Sequence, residues 1–380
     1  MSIRQYNLGS IVKPGFNPLA VQTTVTTYEP YLYSWGQNTY GQLGLGDTTN
    51  RSSPSQIGSL TTWLTIASGT YHSAATKNDG TLWTWGLNSQ GQLGLGVTTL
   101  YSSPKQVGAL TAWSTVFINS SGNFTIANKT DGTLWSWGAN AQGQLGLGNT
   151  TSRSSPTQIG ALTTWLKVGA GGYHTLSIKT DGTLWSWGDN SFGQLGLGNA
   201  TLYSSPKQIG ALTTWSTVSA GVFFTIATKT DGTLWSWGAN AQGQLGLGDT
   251  TNRSSPVQIG ALTNWLKISG GRYSVLSIKT DGTLWAWGFN SYGQLALNNV
   301  TSYSSPKQVG ALITWSTISS SNEFATATKT DGTLWTWGKN VNGLLGLGNT
   351  TNYSSPKQVG SLTTWLSTAA GGYQTISLLY

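Results

Sequence analysis

Any chemistry in this chain would have to be assembled from few side chains. Two histidines, His72 and His174, supply the imidazoles, no cysteine is present, and 11 acidic residues are spread over 380 positions. Without thiols there is no disulfide framework, no thiolate metal site and no cysteine nucleophile. The two histidines occupy one recurring position where Phe124, Phe224 and Phe324 stand in sister copies. They therefore read as packing or loop residues, without a catalytic role. No paired carboxylates, nucleophile beside a base or metal-spaced cluster gathers at one place, so an enzyme is the weakest reading and neither cofactor nor metal is expected. Cations outnumber acids by 19 to 11, a net charge of +8, yet only 8% of residues are charged. That is a mild bias toward anionic partners, without the dense basic stripe of a dedicated DNA binder. Apolar content of 37% supports a core, and no apolar run approaches the ~18 residues of a membrane span, so no membrane insertion is expected.

The elements that would position these side chains are set by an internal repeat. Trp-Gly recurs at Trp35, Trp85, Trp137, Trp187, Trp237, Trp287 and Trp337, a spacing of 50 residues with one interval of 52. Each unit repeats one order: TLWSWG, GQLGLG, Ser-Ser-Pro, GALTTW, an apolar alternating run such as His174 to Lys179, and Asp-Gly. The 20 tryptophans all fall in three fixed places of this unit, which makes them core between repeats rather than a ligand platform. LWSWG and HTLSIK alternate with period two and are rich in β-branched and aromatic residues, as strands are. The Asp-Gly between them reads as a two-residue type I′ hairpin turn. Strands at SSPTQI and WLKVGA complete four per unit, and seven such units predict an all-β, seven-bladed β-propeller of four-stranded antiparallel blades, with a linear solenoid as the weaker alternative. GQLGLG lacks the strand-to-helix setting of a nucleotide fingerprint and is expected to allow tight turns and close blade packing. The Lys-Thr-Asp-Gly pairs read as solvated surface charges.

The chain ends complete each other. The last unit stops at Tyr380 without its Trp strand, and Tyr31 to Gly36 matches that missing strand with Tyr33 in a Trp place. Tyr31, Tyr33 and Trp35 are expected to pair with the segment from Tyr373 through Ile376 and Leu378, closing the ring without an exposed edge. The domain organisation is thus an extended arm, 1–30, followed by a propeller, 31–380.

Trp-Gly followed by Asn, GQLGLG, a Pro-containing strand and a Gly-Gly-x-His segment such as Gly171-Gly172-Tyr173-His174 resemble the repeat of the regulator of chromosome condensation family, over residues 31 to 380. The resemblance implies a seven-bladed propeller closed by a terminal strand. Its members serve as nucleotide-exchange factors, chromatin binders and general interaction platforms. The exchange-factor members carry a projecting β-hairpin in one blade, for which units of 50 to 52 residues leave no room; guanine-nucleotide exchange is accordingly not favoured.

The repeats can also be compared with one another. Units alternate between Arg-Ser-Ser-Pro and Tyr-Ser-Ser-Pro-Lys, which places one cation per unit: Arg51, Lys105, Arg153, Lys207, Arg253, Lys307 and Lys357. Divergence concentrates after Trp-Gly, including Asp189, Phe289 and Lys339, and before the HTLSIK strand, including Tyr71 and His72, Tyr173 and His174, Phe223, Arg272, Tyr273 and Glu323. Both sets should lie at the end opposite the Asp-Gly turns, because the hairpin sets the start of one strand beside the end of the other. We therefore expect one face with the diverged residues and the basic ring, and a second, nearly uniform face of Asp-Gly turns and GALTTW loops.

Residues 1 to 30 do not repeat, lack the apolar core of a signal peptide, and contain apolar points at Ile11, Val12, Phe16 and Leu19 that would anchor the arm in a neighbouring subunit or strap it across the propeller. The arm, the absence of cysteine and the Thr/Ser/Asn/Gly-rich composition resemble structural proteins of phage particles. The leading expectation is a non-enzymatic virion structural or decoration protein, docked by its arm to other subunits of a particle and showing its variable, mildly basic face to an anionic surface glycan. The alternative is an intracellular interaction module for protein or, less favoured, nucleic acid.

Overall fold

The structure is a computed structural model that describes residues 29–118 and 122–380; the arm contacts Ile11, Val12, Phe16 and Leu19 lie outside the described residues. Among those described, the strands form seven four-stranded antiparallel sheets. One blade shows the pattern: an inner strand Trp165–Ala170, then His174–Lys179, Leu184–Gly188 and an outer strand Tyr203–Gln208. Each blade thus takes its inner pair from one sequence unit and its outer pair from the next. Ser-Ser-Pro belongs to the outermost strand because proline, which donates no backbone hydrogen bond, is tolerated at a sheet edge. The inner strands surround a narrow central channel of about 260 Å³.

The seam follows the sequence expectation. Tyr31–Gly36 pairs antiparallel with Gln374–Leu379, with Tyr31 opposite Leu379, Leu32 opposite Leu378, Ser34 opposite Ile376 and Trp35 opposite Thr375. Tyr373 lies just beyond the strand, and its carbonyl accepts from Gln37 N–H at 2.8 Å.

The turns differ from the expectation. Type I′ needs positive φ at both central residues, whereas Gly182 is at +77° and Asp181 has no positive φ. Lys179 N–H donates to Thr183 O at 3.0 Å and Gly182 N–H to Lys179 O at 2.9 Å. This is a three-residue loop, a type I turn followed by a left-handed glycine. The aspartate is there for its side chain: Asp181 Oδ1 accepts from Thr183 N at 2.9 Å and Thr183 Oγ1 at 2.6 Å. Glycine is doubly required, since a Cβ on Gly182 would come within 2.0 Å of the Thr213 carbonyl in the next blade's loop.

Blades are joined by the Trp-Gly indoles. Trp187 Nε1 donates to Gln144 O at 3.0 Å, and Trp35, Trp85, Trp137, Trp237, Trp287 and Trp337 make the same bond to a GQLGLG-type loop at 2.8–3.0 Å. The loop is held by a buried asparagine; Asn140 Oδ1 accepts from Leu145 N and its Nδ2 donates to the carbonyls of Asn149 and Thr151. The glycine two residues past Gln144, Gly146, sits at φ +71°, where a Cβ would lie 2.7 Å from the Trp187 indole nitrogen. One blade departs from this rule: Ala296 takes the corresponding place at φ 62°.

A left-handed Ala costs about 1–2 kcal/mol, part of which glycine returns to the unfolded chain. Ala296→Gly is expected to stabilise the protein by about 0.5–1 kcal/mol in urea unfolding. Gly196→Ala, at the same place against Trp237, is expected to destabilise it by more than about 1 kcal/mol.

Candidate recognition surface

The strand registers sort the divergent positions to one end of the ring. Gly188 stands opposite both His174 on one side and Tyr203 on the other, so the residues after Trp-Gly, those before the second strand and the start of the outer strand share that end. Aromatic side chains cluster there. Tyr173 and Phe223, from adjacent blades, stack at 5.5 Å, and Phe192 lies 5.2 Å from Phe223. Tyr173 and Phe192 are each 42% exposed. At the seam Tyr71 stacks on Tyr373 at 5.2 Å, with Tyr40 edge-on at 5.0 Å. A third group joins Tyr273, Phe289 and Tyr292, and Arg272 lies over the Tyr273 ring. Lys339 packs over Tyr292 and pairs with Glu323 at 2.5 Å. Asp189 accepts from Ser191 and Gln194 within its own loop.

Two residues expected on this face are not on the surface. His72 and His174 are fully buried, each with Nε2 3.1 Å from a threonine hydroxyl of the next blade, Thr125 or Thr225. The second strand of a blade is covered by neighbouring blades on both sides, so its alternation does not mark an exposed face; His174–Lys179 is buried throughout. Burial lowers the His72 pKa to about 3 and that of His174 to about 4, the nearby Asp189 charge opposing the second shift in part.

The cations do not form a ring on the face. Arg51, Arg153 and Arg253 begin outer strands opposite Gly36, Gly138 and Gly238. Lys207, Lys307, Lys105 and Lys357 instead stand part-way along their outer strands, opposite Ser186, Ala286, Thr84 and Thr336, each over the tyrosine ring of its own strand. The two placements are staggered around the rim. Two of the three arginines are also paired, Arg51 with Asp47 and Arg253 with Asp249, both at 2.6 Å. The Asp carboxyls sit below the usual range, held first by the Thr49 and Thr251 backbone N–H groups and also by the arginines.

The opposite end is the uniform one, and it holds two features that the sequence reading did not identify. The lysine two residues before each Asp-Gly is buried at Lys77, Lys179 and Lys279 and partly exposed at Lys129, Lys229 and Lys329; the Lys179 Nζ lies 3.6 Å from the Trp185 ring centroid and 4.9 Å from Trp165. The same cation–π cage holds Lys77, Lys129, Lys229, Lys279 and Lys329. At the seam the lysine and the outer tryptophan are replaced together, by Leu379 and Tyr33. Each cage is continued by a short relay, as Trp185 Nε1 donates to Thr183 Oγ1, which donates to Asp181. Those hydroxyl and backbone hydrogen bonds hold the turn aspartates below the ordinary carboxylate range. The second feature is a circle of exposed leucines, Leu60, Leu110, Leu162, Leu212, Leu262, Leu312 and Leu362, each 47–51% exposed in the GALTTW-type loops. Their signal was present as an invariant leucine in every loop, outside any alternating pattern.

Among the described residues no group of three or more His, Asp or Glu is placed to hold a metal ion, and no helix is long and apolar enough to cross a membrane.

The buried histidines give a pH dependence of definite sign. The unfolded chain takes up protons on them below about pH 6.5 while the folded ring does not. Stability should therefore decline as pH falls from about 6.5 toward 4. His72→Phe with His174→Phe, which installs the residue of the sister blades, is expected to flatten the slope of melting temperature against pH in that window.

The regulator of chromosome condensation (RCC1) repeat description matches residues 31–76, 79–127, 131–178, 181–228, 231–278, 281–328 and 331–378. No curated protein matches the chain. Among solved structures, human WBSCR16 superposes with a TM-score of 0.82 at 21% identity, covering 92% of this chain and 98% of that one. Prp20p of Saccharomyces cerevisiae, studied with its binding properties to Gsp1p and histones, gives a TM-score of 0.82 at 18% identity over 93% and 92%. Yeast RCC1 (Prp20) bound to Kap60 gives 0.82 at 18% identity over 93% and 89%. These likenesses concern the fold, and none of them points to a virus particle. With seven successive repeats matched from residue 31 to residue 378, the chain belongs to the regulator of chromosome condensation (RCC1) repeat family.

Proposed function

We propose that the protein is a non-catalytic recognition platform that holds a partner against the variable end of its ring. One observation carries this reading: units that are nearly identical elsewhere diverge at the end where Tyr173, Phe192 and Phe223 gather from two adjacent blades. Aromatic clusters of this kind offer large contact area at low conformational cost. A protein surface is the partner class favoured, in keeping with the binding to Gsp1p, histones and Kap60 for which the similar yeast propeller is known. A glycan is the second reading, supported by the exposed Tyr173 and Phe192 rings near the carboxylate of Asp189. The scattered and partly paired cations argue against a partner chosen by charge alone. A setting on a virus particle rests on composition and the first residues of the chain; the blades add nothing to it.

The test is a double substitution, Tyr173→Ser with Phe192→Ser, compared with Leu212→Ser at the opposite end. Against immobilised candidate proteins and a glycan array, the double variant is expected to lose at least about tenfold in affinity, as aromatic hot spots do, while Leu212→Ser retains wild-type binding. Equal binding by the double variant would overturn the reading.

A further inference from the structure

One blade of the ring keeps an aromatic pair but lacks the cation that the same pair holds in the other six. In those six cages the lysine Nζ lies 3.6–4.0 Å from the centroid of the outer tryptophan ring and 4.7–5.2 Å from that of the inner one. The two rings meet edge to face, with centroids 5.9–6.4 Å apart and planes at 77–83°. At the seam Tyr33 and Trp365 stand in the same way, 5.7 Å apart at 72°. The place opposite the inner tryptophan, held by Lys179 opposite Trp165, belongs there to Leu379 opposite Trp365. Leucine is shorter than lysine and brings no ammonium.

An apolar groove of about 430 Å³ opens beside this pair, between Tyr33, Pro54, Val359, Leu362 and Trp365; its counterpart in the next blade, which contains Lys77, is about 340 Å³. Trp365 is buried and the Tyr33 ring is partly exposed, so Tyr33 offers the accessible aromatic face. The side chains lining the groove are uncharged, and charges of both signs stand around it. The turn that carries Asp331 abuts it, with Trp365 N–H donating to Gly332 O at 3.0 Å, and the Lys329 ammonium beside that aspartate is engaged by Trp315 and Trp335. Lys357 is held over the Tyr353 ring of its own strand. Selection in the groove therefore rests on the aromatic rings, which attract an ammonium most strongly where water is excluded.

We propose that the seam groove binds a lysine side chain of a partner protein, with its ammonium over the Tyr33 ring in the place that Lys179 takes over Trp185. Six cages are then filled in cis and the seventh in trans. The proposal does not depend on what binds the variable end.

The site can be read at a single ring of the full chain. With isotope-labelled tyrosine rings and the Tyr33 signal assigned through Tyr33→Phe, a blocked Ala-Lys-Ala peptide is titrated to millimolar concentration. The comparison peptide carries norleucine, which keeps the alkyl stem and lacks the ammonium. The lysine peptide is expected to shift the Tyr33 signal with an affinity at least about fivefold higher than the norleucine peptide. Leu379→Lys, which rebuilds the sister cage and fills the groove from within, is expected to abolish that response. Equal affinity for the two peptides would overturn the proposal, as would the absence of a Tyr33 shift, or an unchanged response in Leu379→Lys that melts as the natural chain does. The peptide comparison is made on the natural chain and decides the question even where Leu379→Lys fails to fold.

Discussion

At every joint between blades a buried indole N–H donates to a loop carbonyl. A donor so deeply buried must be satisfied, and its single partner fixes how far apart and at what angle adjacent blades sit. The rest of the unit serves that bond. Asn140 and its counterparts lock the loop that presents the carbonyl, and Gly146 clears the space in which the indole lies. Because the seam uses the same bond, from Trp35 to Leu344, the ring closes with the geometry of its other joints although no covalent turn joins the paired strands.

The same packing accounts for why one end varies and the other does not. At the Asp-Gly end the turn glycine abuts the next blade's loop, and the aspartate, threonine, tryptophan and lysine are bound to one another. A change there disturbs a relay and a joint together. At the other end the side chains after Trp-Gly and before the second strand extend from positions whose backbone bonds are already made, as with Asp189 N–H to Tyr173 O. Side chains there can differ from blade to blade without cost to the ring, which is what a recognition surface requires.

Much of this was legible in the sequence, since the unit length, strand order and missing terminal strand are periodic features. The turn type was not, because Asp-Gly serves two loop geometries and the choice depends on whether the aspartate backbone or its side chain is used. Lys179 beside Asp181 has the appearance of a surface ion pair; its cage forms from Trp165 and Trp185, which only the folded blade brings to either side of it. His72 and His174 were placed on the diverging face because their segment varies between copies, although the phenylalanines at the same position in sister copies already pointed to packing; a strand between two blades has no wet face. The stagger of the cations is itself legible, since each Arg stands three residues before the Pro of Ser-Ser-Pro and each Lys one after it; what the sequence does not show is that Arg51 and Arg253 are paired with Asp47 and Asp249 and that each Lys lies over the tyrosine of its own strand.

The central claim is that seven equivalent indole bonds hold one closed ring. It can be tested most directly by hydrogen exchange of the tryptophan Nε1 protons, assigned through single Trp→Phe substitutions. The account predicts that Trp35 exchanges with the same free energy as Trp85, Trp137, Trp187, Trp237, Trp287 and Trp337, all through opening of the whole ring. Exchange of Trp35 several orders of magnitude ahead of the other six would contradict it, showing a seam that opens while the remaining blades stay joined.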